Sequence, residues 1–272
     1  MADRWRVPTV VGFRFRPRRV GRVWAVTEPT GQPVRAPRVQ REVTSFVRRS
    51  SRMRPVHLRA WERLRHAYVL EVPQRAASTS VAPGRPLDVA AAFGRTAPLV
   101  VEIGPGTGES LVTMAAARPE MDVLAFEVYL PGIARTVHRL HETGVANVRL
   151  VPSDAVDGLT HLLGPGSLQE VWTFFPDPWP KARHHKRRLV DRAFADLVAS
   201  RLRPGGLWRL ATDWADYAEQ IRSLLDAQPQ LVNEGGGRDG WAERWPDRPL
   251  TRFERRGIEA GRTVHDLRYR RR

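Results

Sequence analysis

From Ala97 onward the sequence alternates between short β-branched or apolar runs and longer amphipathic segments, and few architectures accept that alternation. Residues 99–103, 122–127, 148–151, 170–175 and 207–212 have the length and composition of strands. Helical periodicity falls near 109–118, 131–143, 155–162, 187–201 and 214–227. Such repeats predict an α/β fold: a Rossmann-like, doubly wound, mostly parallel sheet with helices on both faces. Residues 250–272 predict a loop and then a strand over 263–269, antiparallel at the sheet edge. Sheets of this kind bind ligands beyond the carboxyl ends of their strands, near the switch in strand order.

The rest of the chain has a different texture. Residues 1–43 are rich in Arg, Pro, Val and Gly without a sustained period and predict a basic, disordered arm. Residues 44–95 hold a helix over 56–68 and an Ala/Ser/Pro/Gly-rich linker, 73–95, expected to be a loop. The sheet domain is expected over 96–272. No apolar run approaches the roughly 20 residues of a membrane span, and no secretion signal is evident, so the cytoplasm is the default location. Without cysteine, disulfides and thiolate metal sites are excluded, and no metal site is expected.

Charge points to a partner. Lys plus Arg number 45 against 29 Asp plus Glu, a net +16. Fixed cations in that excess suit a polyanion, because they displace counterions condensed on a phosphate backbone. Only Lys181 and Lys186 among the basic residues are lysines, which suggests that an ammonium is useful in that one window.

The acids fall at strand ends. The first strand runs into Glu102-Ile-Gly-Pro-Gly-Thr-Gly108, where Gly104 and Gly106 let the backbone turn tightly beside a ligand. Glu109 at the helix start disfavours a pyrophosphate on those amides, so a cofactor without phosphate fits better. S-adenosylmethionine is such a cofactor, and Glu102 can meet its cationic amino-acid portion. Glu127, ending the second strand, is placed to accept ribose hydroxyls, and Asp154, ending the third, to accept from an adenine amino group. Either could instead cap a helix. The fourth strand leads into Pro176-Asp177-Pro178-Trp179-Pro180-Lys181, with a carboxylate between two prolines, an aromatic plane for stacking a base, and a cationic run over 181–188 for phosphates. Asp213 follows the fifth strand, and Thr251, Arg252, Phe253 and Glu254 lie in the tail; a cap and a turn are their plainer readings. An amino-group methyltransferase, a nicotinamide oxidoreductase and a non-catalytic tRNA-binding protein remain open on these residues alone.

These segments, together with Ser45-Phe-Val-Arg-Arg49, Phe126-Glu-Val-Tyr-Leu-Pro-Gly132 and Ala211-Thr-Asp-Trp214, resemble the bacterial tRNA (guanine-N7)-methyltransferases over roughly residues 44–270. The resemblance implies a class I S-adenosylmethionine-dependent methyltransferase acting on guanine N7 at position 46 of the tRNA variable loop, as a monomer or small homo-oligomer. It assigns Glu102, Gly104, Gly106, Glu127, Asp154 and Asp177 to the cofactor, and makes Asp177 the catalytic acid. It assigns Lys181, Asp213, Thr251, Arg252, Phe253 and Glu254 to substrate. Pro180 departs from the pattern, where relatives often carry His or Asn.

Overall fold

The computed structural model describes residues 53–75, 79–236 and 239–272. The basic arm expected over 1–43 and the Ser45-Phe-Val-Arg-Arg49 segment therefore lie outside the described residues. Seven strands form one sheet in the order β3-β2-β1-β4-β5-β7-β6. β1 (Leu99–Ile103), β2 (Asp122–Phe126), β3 (Val148–Val151), β4 (Leu168–Phe174) and β5 (Leu202–Thr212) run parallel. β7 (His265–Arg271) is antiparallel to β5, and β6 (Leu231–Asn233) is antiparallel to β7. The antiparallel edge is thus two strands deep: the predicted tail strand lies inside it, and the three-residue β6, too short to carry a pattern, is outermost. Strand order reverses between β1 and β4, which makes the crevice beyond their carboxyl ends the expected ligand site.

Both faces of the sheet are covered, as the doubly apolar strands require. α5 (Ala155–His161), α6 (Arg192–Arg201) and α7 (Ala215–Asp226) bury Leu159, Phe194 and Ile221 against one face, which also receives Val101 and Trp208. α3 (Glu109–Ala116) and α4 (Leu130–Thr143) bury Leu111, Ile133 and Val137 against the other, with Val100 and Trp172. α1 (Pro55–Tyr68) starts on a proline, whose missing N–H costs nothing in a first turn. It packs on α4, with the His57 and His138 rings 5.6 Å apart. Among the described residues no helix is long and apolar enough to cross a membrane.

Three segments depart from expectation. The linker is not all loop: Gln74 bridges Val81, and α2 (Val89–Phe93) forms between an Asp88 side chain that accepts from Ala91 N and a left-handed Gly94. The tail contains α8 (Arg252–Glu259), capped by Thr251, whose Oγ1 accepts from Glu254 N at 3.2 Å. The helix expected from 187 begins only at Arg192, capped by Asp191; the basic run before it winds into a 3-10 turn, Ala182–Arg187. In each case the cap residue marked the boundary, and the surrounding composition obscured it.

Candidate active site

Beyond β1 the chain turns at Gly104, Gly106 and Gly108, with φ of 67°, 61° and 72°, left-handed values that disfavour any side chain. The loop is tied down by backbone contacts. Gly104 N donates to Phe126 O at 2.9 Å, and Gly106 N donates to Glu127 Oε2 at 2.8 Å. A Cβ on Gly132 would lie 2.2 Å from Gly106 O, so the first turn of α4 rests directly on the loop.

Glu127 also accepts from Val128 N and Tyr129 N at 2.7 and 2.8 Å through Oε1. A carboxylate offers about four lone-pair sites, so most of its capacity holds the loop and starts α4, while it still lines the cleft. Burial raises its pKa, and the three amide donors oppose that rise. Asp154 caps α5, accepting from Val156 N at 2.8 Å, and also lines the cleft. The capping role and the cleft role coincide on one residue.

Glu102 differs. It is the charged residue of a wholly buried strand, and its Oε2 is buried without a hydrogen-bond partner. Burial first, and the Glu127 carboxylate second, push its pKa up to about 8. An orphaned buried acceptor beside the glycine loop suits a cationic donor, which would supply both the missing hydrogen bond and the missing charge.

The cleft, about 290 Å³, opens at the switch point and brings together Gly104, Glu127, Asp154 and Asp177. Tyr129, Ser153, Phe175, Trp179 and Arg187 also line it. Sequence reasoning did not single out Tyr129 and Ser153, yet each stands within two positions of an acid that it did.

The turn after β4 carries Asp177 on an exposed rim. Phe175 and Trp179 have φ of 51° and 43°, uncommon for bulky residues and doubly so because each precedes a proline, Pro176 and Pro180. Such strain persists only where surroundings enforce it, and here they do. Phe175 N donates to Ala211 O at 2.7 Å. Arg188, expected among the phosphate-binding cations, is instead buried. It donates to Pro178 O at 2.9 Å, Gln220 Oε1 at 2.6 Å and Asp216 Oδ2 at 2.5 Å, and so holds the turn from behind. Arg187 lies over the Trp179 ring at 4.9 Å, where stacking of a base was expected. Lys181 and Lys186 are exposed beyond the cleft.

A second strut comes from the tail. Arg248 is fully buried; it donates to Glu254 Oε2 at 2.7 Å and to both oxygens of Asp266 at 2.9 and 2.8 Å. Its guanidinium lies over the rings of Phe174 and Phe175, at 5.4 and 5.3 Å. Glu254, given to substrate by resemblance, is fully buried and also holds Arg244 at 2.9 Å. Thr251 caps α8, and Asp213 pairs with Arg262 at 2.7 Å beneath Gly257 of α8. Arg252 and Phe253 are exposed on the outside of that helix. The cleft residues thus converge, whereas these tail residues gather behind and beside the Asp177 turn.

A strand order that reverses at β1/β4, a glycine loop followed by an acid, Glu109, at the start of α3, and acids on successive strand ends make a doubly wound α/β fold with a ligand cleft at its switch point, the arrangement of a methyltransferase. Residues 96–267 accordingly match the family model described as "Putative methyltransferase". The chain is 57% identical over 86% of its length to a tRNA (guanine-N(7)-)-methyltransferase of Cutibacterium acnes, of which 85% is covered. It is 54% identical to the enzyme so named from a Nocardioides species, over 86% of this chain and 90% of that one, and 47% identical to that of Alkalilimnicola ehrlichii, over 86% and 94%. The chain belongs to the tRNA (guanine-N(7)-)-methyltransferase family. The residues present fit S-adenosylmethionine as methyl donor: Glu102 has the unpartnered buried oxygen that an amino group would satisfy, and the left-handed glycines leave the loop backbone open to it.

Proposed function

We propose that this protein methylates N7 of guanine 46 in the tRNA variable loop, with Asp177 as the catalytic acid. The observation that carries the reading is the turn that presents Asp177 on the rim of the cleft, held between left-handed Phe175 and Trp179 and braced by Arg188 and Arg248. S-adenosylmethionine supplies an electrophilic methyl group on a sulfonium. Guanine N7 has an exposed in-plane lone pair, so no residue is needed to remove a proton before attack. The chain's task is then to hold two reactants in line and to favour positive charge arriving on the base. Asp177 would accept from the guanine N1 and N2 donors, which orients N7 and places a negative charge beside the ring. Glu102, Glu127 and Asp154 would hold the donor from the opposite side of the cleft. Lys181, Asp213 and residues 251–254 would meet the tRNA around it, Glu254 by way of the helix it anchors.

Incubation with unmodified tRNA and methyl-labelled cofactor, followed by mapping of the labelled nucleoside, tests this directly. Label at guanine 46 N7 is expected; label on an adenine amino group would replace the reading with amino-group methylation. Asp177→Asn should lower kcat by about 10²–10³ while tRNA affinity stays close to that of the unaltered protein. Full turnover in that variant would remove the catalytic role.

A further inference from the structure

The cationic surplus is unevenly neutralised. Arg209 on β5, Arg270 on β7, and Arg248 and Arg262 in the tail each sit on a carboxylate. On α1 and α4 the balance reverses. Among the described residues, the ion pair made by these two helices is His138 with Glu142, at 3.3 Å. Arg54, at the cap of α1, and Arg135 and Arg139 on α4 have none, and Arg139 Nε is buried without a hydrogen-bond partner. These cations converge. Burial first, then Arg135, His138, Arg54 and Arg139, lower the pKa of His57 at the centre of the α1–α4 seam.

A fold does not gain by gathering like charges without counterions; the arrangement costs self-repulsion that only an external anion relieves. The position is also informative. α4 begins at Leu130, next to Tyr129 in the cleft wall, and at ~1.5 Å rise per residue Arg135 and Arg139 lie roughly 8 and 14 Å along its axis from that wall. On α4, Arg135, His138 and Arg139 share one face by their i, i+3, i+4 spacing.

We propose that the Arg54–Arg135–Arg139 face of α1 and α4 binds tRNA phosphates outside the reacting nucleotide, so that the tRNA body is held from the cofactor side of the cleft while the guanine enters from the Asp177 side. This surface rests on the tRNA reading above. Guanidinium groups suit the task, since they pair bidentately with phosphate and keep their charge.

The test is equilibrium binding of unmodified tRNA to the full chain without cofactor, over a range of salt, followed by turnover. The double variant Arg135→Gln/Arg139→Gln should bind roughly tenfold more weakly at moderate salt, and the slope of log Kd against log salt should fall by about two. kcat at saturating tRNA should be unchanged, and Arg135→Lys/Arg139→Lys should restore most of the affinity. Arg203→Gln, at the opposite end of the sheet, serves as the control for net charge. An unchanged salt slope in the double variant, or an equal loss in the Arg203 control, would overturn the proposal. Wild-type protein that binds tRNA with this slope but methylates nothing would sink the catalytic reading and leave the surface standing.

Discussion

The two walls of the cleft are built by different physics. The wall proposed for the cofactor is made where β1, β2 and β3 end, and backbone groups hold it: the amides of Gly106, Val128 and Tyr129 on Glu127, α4 resting on Gly106 O, and Asp154 serving its own helix. Each of its parts lies within a few residues of the end of its own strand. The wall proposed for the substrate is one turn after β4 whose conformation its own residues disfavour, and side chains from 188, 248, 254 and 266 enforce it. A wall made locally can be nearly complete in each βα unit. A wall made by long-range ion pairs exists only once the tail has docked.

Arg248 is the position where the two walls should differ most. Arg248→Met leaves Asp266 buried without its ion-pair partner and Glu254 held by Arg244 alone, and should cost about 3–5 kcal/mol in urea unfolding. In the fraction that remains folded, cofactor affinity should survive while turnover falls. A variant as stable as the unaltered protein would show that the tail does not hold the turn.

Next in size is a pH effect on the opposite wall. Glu102 is raised from 4.5 to about 8, so the free protein holds a proton there that the cofactor's amino group would displace. Cofactor affinity should climb by up to about tenfold per pH unit between 6 and 8 and level off above. Glu102→Gln should bind weakly and flatten that profile, as titration calorimetry can show. The sign for stability is opposite. The folded protein binds this proton more tightly than the unfolded chain, so Glu102's contribution is full below pH 4.5 and is lost as pH rises through about 8. Unfolding midpoints of the cofactor-free protein should show that slope, and Glu102→Gln should lack it.

A smaller loss is expected from Gly132→Ala. The added methyl meets a backbone oxygen that cannot swing aside, and α4 must shift for roughly 1–3 kcal/mol. The loss should appear in cofactor affinity before it appears in tRNA binding. Thr251→Ala should cost the least, about 1 kcal/mol for a lost helix cap. Because Thr251 belongs to the substrate wall, its loss should leave cofactor affinity alone; a change there would show that the two walls are coupled.

How legible each wall was follows from the same difference. The ends of β1, β2 and β3, with Glu102, Glu127 and Asp154, follow from apolar runs broken by acids and glycines, because parallel strands buried on both faces must be apolar until they emerge. Asp177 was legible from its two prolines. Arg188 was read as one more surface cation, since a run of basic residues has no period to show which member turns inward. Arg248 left no trace at all, because it lies in an irregular segment and its partners lie on α8 and β7. Glu254 drew attention as part of a motif; that its carboxylate faces two arginines could not be read from a Thr-x-x-Glu spacing.

What the sequence determined by itself is therefore the α/β alternation, the charge that calls for a polyanion, and the positions of the strand-end acids: properties set by local pattern and composition. Tertiary structure alone decided which cations are struts and which face solvent, that Phe175 and Trp179 adopt left-handed backbone around Asp177, and that Glu102 keeps an unsatisfied oxygen. Those depend on contacts between segments distant in the chain, whose free energy exists only when the sheet has brought them together.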